Sequence, residues 1–243
     1  MINTYKESSL HRTLKELYAA KTGGKTEVEA DGHIYDILTD KGEVIEIQTQ
    51  NLAKLKKKIL DSLEKGRKVK VVHPVIIEKI IRTKDENGNI LSVRKSPKKG
   101  SVYSIFDEIK GIFNILLLKN FTLEILEINM TEERIKSDQL LQSENRRRRF
   151  KKNWNKTNKY LEKILCVHTF KTARDYLNLL PDPLNEEFTV NDIKEGLKNE
   201  KPHIKKAPEY SNLIAWTFLK MGLFELTGKK GNAKVYRIII KRR

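Results

Sequence analysis

Two acidic residues sit inside short apolar runs near the start of this chain. Asp36 lies in Ile34-Tyr35-Asp36-Ile37-Leu38 and Glu46 in Val44-Ile45-Glu46-Ile47. A carboxylate in a strand core is costly to bury unless something neutralises it. Two of them on paired strands are well placed to share a divalent cation, which favours oxygen ligands. Strand residues two apart face the same side, so Glu46 and Gln48 project together, and Asp36 on the neighbouring strand can face them. Asp36, Glu46 and the backbone oxygen of Ile47 then form a ligand set for Mg²⁺ or Mn²⁺. A metal held there would acidify a water for attack on a phosphorus atom and offset the charge that develops. Glu7, at the opening of the first helix, is the candidate for a second metal or its water shell, with Glu16, Glu27 and Glu29 as competitors. The competing account of Asp36 and Glu46 is an ion pair with a lysine across the sheet, and that of Glu7 is an acid favoured by the helix dipole.

The elements that must hold these residues follow from periodicity and punctuation. Leu10, Leu14 and Leu17 have helical spacing over 8–20, ended near Gly23-Gly24. Lys25 to Ala30 reads as a strand, with a turn at Asp31-Gly32 leading into Ile34 to Thr39. A turn at Asp40-Lys41-Gly42 leads into Glu43 to Thr49. Leu52, Leu55, Ile59 and Leu63 mark a second helix stopped by Gly66, and Val69 to Val72 has the continuous apolar run of a strand buried on both faces. Helix, three strands, helix, strand is an α/β arrangement. Pro74 to Arg82 reads as a further strand, Ile90 to Val93 as its hairpin partner, Val102 to Leu118 as a helix and Thr122 to Asn129 as another strand.

With 243 residues the chain is long enough for two small domains. The formal net charge of +17 and pI of about 9.7 point to a polyanionic partner. The charge is uneven. Residues 131–243 hold 26 Lys+Arg against 14 Asp+Glu, and residues 1–130 hold 23 against 18, so the C-terminal half carries most of the attraction for phosphate. Arg94, Lys95, Lys98 and Lys99 form a basic loop. Arg146, Arg147, Arg148, Arg149, Lys151 and Lys152, with Phe150 and Trp154 among them, read as a basic connector able to contact nucleic acid.

The single cysteine excludes a disulfide framework and a cysteine-rich zinc site. Cys166, in Leu-Cys-Val, reads as a buried apolar thiol. His11, His33, His73, His168 and His203 show no zinc spacing and read as surface or packing residues. Met1 to Lys15 has no apolar signal-peptide region and no stretch reaches the length needed to cross a bilayer, so the expectation is a cytoplasmic protein with no membrane partner.

The order and spacing of Glu7, Asp36 and Glu46-Ile47-Gln48 resemble the PD-(D/E)XK nuclease superfamily, over roughly residues 5–75. The resemblance implies a restriction-endonuclease-like mixed sheet flanked by helices. It also implies catalysis by Glu7, Asp36, Glu46 and Gln48, with the metal on Asp36, Glu46 and Ile47. The sequence departs from the superfamily at Gln48, where most members carry Lys. Glutamine can orient a water but cannot electrostatically favour hydroxide.

Beyond residue 155, Thr172 to Leu180 reads as a helix, Thr189 as the N-cap of a helix through Leu197, and Tyr210 to Met221 as a third. Gly228 to Asn232 is a basic turn between two strands. This resembles a winged helix-turn-helix, whose third helix enters the major groove while Lys229 and Lys230 at the wing touch phosphate. The expected organisation is therefore a nuclease-like α/β domain over 1–130, a basic connector over 131–155 and a smaller α+β winged-helix-like domain over 156–243. The expected function is metal-dependent DNA endonuclease. The alternatives are a non-catalytic DNA-binding regulator on a nuclease-like fold and, behind it, an RNA-processing protein. The expected partner is duplex or branched DNA ahead of RNA, with homodimerisation left open.

Overall fold

The structure is a computed structural model that describes residues 8–143 and 149–239. It is a mixed α/β assembly built on a seven-stranded sheet flanked by helices, with a separate three-stranded sheet near the C-terminus.

Helix α1 (Ser9–Thr22) begins where the Ser8 hydroxyl accepts from the His11 N–H and ends at Gly23, whose φ of 65° is the left-handed turn glycine tolerates. Strands β1 (Lys25–Ala30) and β2 (His33–Leu38) are joined by Asp31-Gly32, both at positive φ, the geometry of a tight two-residue hairpin. β2 runs antiparallel to β3 (Val44–Ile47). Helix α2 (Lys56–Glu64) then crosses over to β4 (Val69–Lys84), which lies parallel to β3. β5 (Ile90–Lys95) folds back on the outer part of β4, as Ile90 to Val93 predicts. β6 (Phe121–Leu141) is parallel to β4, and β7 (Lys152–Phe170) closes the sheet antiparallel to β6.

Each face of the sheet has its own packing. Leu10, Leu14 and Tyr18 of α1 bury against Ile37, Ile45, Ile47 and Val72. On the other face, Tyr35, Val44, Val69 and Val71 pack with Ile59 of α2 and with the C-terminal elements. Those elements are α4 (Ala173–Leu177), β8 (Glu187–Thr189), α5 (Val190–Glu200), α6 (Ser211–Lys220), β9 (Phe224–Lys230) and β10 (Ala233–Ile238), with sheet order β8-β10-β9. Thr189 caps α5 as predicted, its hydroxyl and Asp192 bonding reciprocally.

Three expectations need correction. Val102 to Leu118 is not one helix. A 3-10 turn over Val102–Ile105 leads into a single α-turn, α3 (Phe106–Ile109), and then into successive turns, because the apolar side chains there point inward to the core from several directions. Within the expected connector, residues 131–141 and 152–155 are strand. Residue 130 lies inside β6 and residue 155 inside β7, so the sheet runs on to Phe170. Glu132 and Glu133 disguise the strand, and they are tolerated there because Lys79, Arg134, Lys156, Arg82 and Lys84 pair with them. Nor does the C-terminal unit stand apart. Phe106 meets Phe218 edge-on at 5.6 Å between ring centroids, Phe113 meets Trp216 at 5.8 Å, and the Tyr103 hydroxyl donates to Leu179 O at 2.9 Å.

Candidate metal site and basic cleft

Asp36 is absent from both backbone ladders that flank it. The β1–β2 pairing passes from Thr26↔Ile37 to Val28↔Tyr35, and Glu27 between them has a φ of 54°. A positive φ on a non-glycine residue is uncommon and costs free energy that the surroundings must repay. The β2–β3 pairing ends at Ile37↔Ile45. Past that point the two strands part. In place of a backbone carbonyl, Asp36 Oδ2 accepts the Ile47 N–H at 2.8 Å, and Glu46 Oε1 accepts the Asp36 N–H at 3.3 Å. The sheet thus opens a notch into which both carboxylates turn.

Each acid meets a cationic or donor group from a different helix. His11 of α1 donates from Nε2 to Ile47 O at 2.7 Å, the only role a carbonyl partner allows, and the same nitrogen lies 3.5 Å from Asp36 Oδ2. Lys58 of α2 places Nζ 2.6 Å from Glu46 Oε1 and also donates to Ile34 O at 2.5 Å. Burial alone would raise Asp36, but the hydrogen bond and charge of His11 and the Ile47 N–H hold its carboxyl below the ordinary range. Burial and the Asp36 charge push Glu46 up to about 7, and Lys58 offsets only part of that. The two acids are driven in opposite directions, the pattern expected where carboxylates take different roles. Asp36, Glu46 and the Ile47 carbonyl are an all-oxygen donor set of the kind a hard divalent cation takes.

Not every predicted site residue arrives here. Gln48 turns its amide to Asn51 O at 3.2 Å, bracing the loop after β3. Its carbonyl accepts from His73 Nδ1 at 2.6 Å, and burial holds the His73 imidazole below its ordinary range. Glu27 pairs with Lys15 at 2.7 Å, and Glu16 is exposed on the outer side of α1. Glu7, Arg146, Arg147 and Arg148 lie outside the described residues. The sequence reading missed His11, taken as a surface or packing residue, and Lys58. The available signal for His11 was its place at i, i+4, i+7 with Lys15 and Tyr18, beside the apolar stripe of α1. Lys58 is one of three consecutive lysines, and nothing local singles it out.

Past the end of β3, a cleft of about 330 Å³ is lined by Thr49, Gln50 and His73 and by Lys79, Lys98, Lys99, Lys159 and Lys206. Lys98 and Lys99 therefore share a cleft with Thr49 and Gln50, the residues that follow β3. Burial and the charge of Lys156 press Lys159 below its ordinary value, with Glu132 opposing. The other basic candidates are spread out. Arg94 and Lys95 lie on exposed β5, where Lys95 approaches Glu78 at 3.6 Å. Arg149 sits over Phe150 at 5.1 Å and Lys152 over Trp154 at 5.9 Å, with Lys151 exposed between them. These last residues are at the far end of the β6–β7 ribbon, up to roughly 55 Å along the strand from the notch. Lys229 and Lys230 are exposed on β9, next to the turn at Gly231-Asn232.

No helix among the described residues is long and apolar enough to cross a membrane. A family model described as a domain of unknown function, DUF8091, matches residues 8–171, ending one residue beyond β7. An uncharacterized protein of Treponema pallidum (strain Nichols) is 31% identical over 236 residues, spanning 97% of this chain and 87% of its own length. No solved structure matches.

Proposed function

The chain belongs to the DUF8091 family, and we propose that it is a metal-dependent DNA endonuclease whose C-terminal elements dock the substrate. One observation carries the reading. Where β2 and β3 part, the Asp36 carboxylate, the Glu46 carboxylate and the Ile47 carbonyl come together, and a lysine-lined cleft opens past the end of β3. The element order agrees with a restriction-endonuclease-like fold: a helix, an antiparallel three-strand meander, a crossover helix and a parallel fourth strand, with the acids on the second and third strands. The order β8-β10-β9 around α5 and α6 agrees with a winged-helix reading of the C-terminal elements.

The roles follow from the positions. Asp36, Glu46 and Ile47 would hold Mg²⁺ or Mn²⁺. The ion would supply an acidified water and charge stabilisation at the scissile phosphate. Glu46 must give up its proton before it can serve as a ligand, and its place near pH 7 makes that step sensitive to pH. Lys58 places a cation at Glu46, a charge that Gln48, in the superfamily's usual lysine position, cannot supply. Lys79, Lys98, Lys99 and Lys159 form the wall that attracts the phosphate backbone.

A second reading has its own support. Lys58 on Glu46, and His11 across Asp36 and Ile47, satisfy the acids without any metal, as a DNA-binding regulator on a nuclease-like fold would require. Cleavage assays on plasmid, branched DNA and RNA with Mg²⁺ or Mn²⁺ separate the two. A nuclease cuts DNA, and Asp36→Ala and Glu46→Ala each abolish cutting while DNA affinity holds or rises. DNA binding with no cutting under any divalent ion favours the regulator. Undiminished cutting by either purified variant removes these residues from the site.

A further inference from the structure

We propose a zinc site formed by Glu127, Cys166 and His168 on β6 and β7, separate from the Asp36–Glu46 notch and independent of the nuclease reading. Glu127 and Cys166 are directly opposed across the two strands, and His168 follows two residues on, on the same side of β7. One ligand atom from each of the three lies within 4.8 Å of the others. Cys166 is exposed, contrary to its reading as a buried thiol, so its sulfur is open to a metal.

Two further observations point to a ligand. His168 Nε2 is shut off from solvent and has no hydrogen-bond partner, a condition that is costly for a polar atom. It faces Glu127 Oε1 at 3.8 Å, too far for a hydrogen bond. Two ligands of one tetrahedral zinc, with metal bonds of about 2.0–2.2 Å, stand roughly 3.4 Å apart, so a shift of a few tenths of an ångström brings them to coordination distance. Glu127 is also held in place, since the Val102 N–H donates to the same Oε1 at 3.0 Å, the kind of support that metal-ligating carboxylates receive. A sulfur, an imidazole nitrogen and a carboxylate oxygen are a zinc donor set, softer than the oxygen set of Mg²⁺. Glu127 and His168 line a cleft of about 510 Å³ together with Asp175, Glu200 and His203, which has room for a water as a fourth ligand.

Because Cys166 is the one cysteine of the chain, the test is unambiguous. Metal-free full-length protein is titrated with Co²⁺ and followed for a thiolate-to-cobalt absorption band, then with Zn²⁺ against a chromophoric chelator. One equivalent of Zn²⁺ per chain, displacing Co²⁺ and its band, is the expected result. Cys166→Ser should abolish the band, and His168→Ala and Glu127→Gln should each weaken Zn²⁺ binding by at least about tenfold, the scale set by loss of even an outer support. The melting temperature of each metal-free variant, measured alongside, separates lost binding from lost folding. The proposal is overturned if no thiolate band forms, if Zn²⁺ binds equally well to the Cys166→Ser/His168→Ala protein, or if the band saturates at half an equivalent with dimerisation.

Discussion

Glu46 is the residue on which the notch depends, and Lys58 is what keeps it tolerable. Glu46 is almost fully buried and already pushed up to about 7 by burial and by Asp36. Removing the ammonium with Lys58→Met leaves a buried carboxylate unpaired, at a cost of about 3 kcal/mol. The raised value sets the sign. In the folded state Glu46 keeps its proton up to about pH 7, so below that it is neutral with or without the ammonium and the missing lysine matters least. The deficit of the metal-free variant relative to the parent should therefore be small at pH 5 and open as pH rises through about 7, measured by urea unfolding at pH 5 and pH 8. Adding Glu46→Gln should recover most of it, and a double variant as unstable as Lys58→Met at pH 8 would break the pairing argument. Gln48→Lys should change cleavage little, since that side chain braces Asn51. At this scale the sequence announced Asp36 and Glu46, because an acid in an apolar run demands a partner. It could not announce the partners. His11 and Lys58 come from helices on opposite faces of the sheet, and their approach is decided by packing.

The elements show the same division between local and tertiary information. The turns at Asp31-Gly32, Gly42 and Gly66 were legible because each needs a positive φ that the residue types supply. The length of β6 was not legible, since its outer half carries Glu132 and Glu133 where alternation calls for apolar residues. Burial works against Glu132, but Arg134, Lys156 and Lys79 lower its carboxyl to about 2. A folded value so far below the ordinary 4.5 gives stability that is complete above 4.5 and lost as pH falls toward 2, on the order of 3 kcal/mol in all. Glu132→Gln should cost about that much at pH 7 and much less near pH 2, flattening the acid limb of the unfolding curve. Equal losses at both pH values would mean that the side chain acts by shape alone.

In the whole molecule, the sheet and the C-terminal elements share one core, which the uneven charge of the sequence concealed by suggesting a boundary near residue 130. The two tryptophans report on the two parts, Trp154 on the β6–β7 ribbon and Trp216 on α6. Unfolding followed through Trp154 in a Trp216→Phe protein and through Trp216 in a Trp154→Phe protein should give coincident transitions. Phe218→Ala should lower both by roughly 3–5 kcal/mol, whereas a separate early transition for Trp216 would mark an independent domain. On the full chain, Lys229→Ala with Lys230→Ala should weaken duplex binding alike across sequences and flatten the salt dependence by up to about two units. Unchanged affinity at low salt would take the wing out of the interface.

The last strand of the large sheet has a consequence of its own. β7 is 19 residues long, pairs on one side with β6 and, among the described residues, ends the sheet on the other, the position of a strand edge that can pair with an extended chain. Leu165 and Val167 are exposed on it. Against that hazard stand Lys152, Lys156, Lys159 and Lys163, spaced along the strand, and several register shifts against β6 that bend it. Lysines spaced along the strand disfavour pairing edge to edge with a second copy, and high salt would weaken that repulsion.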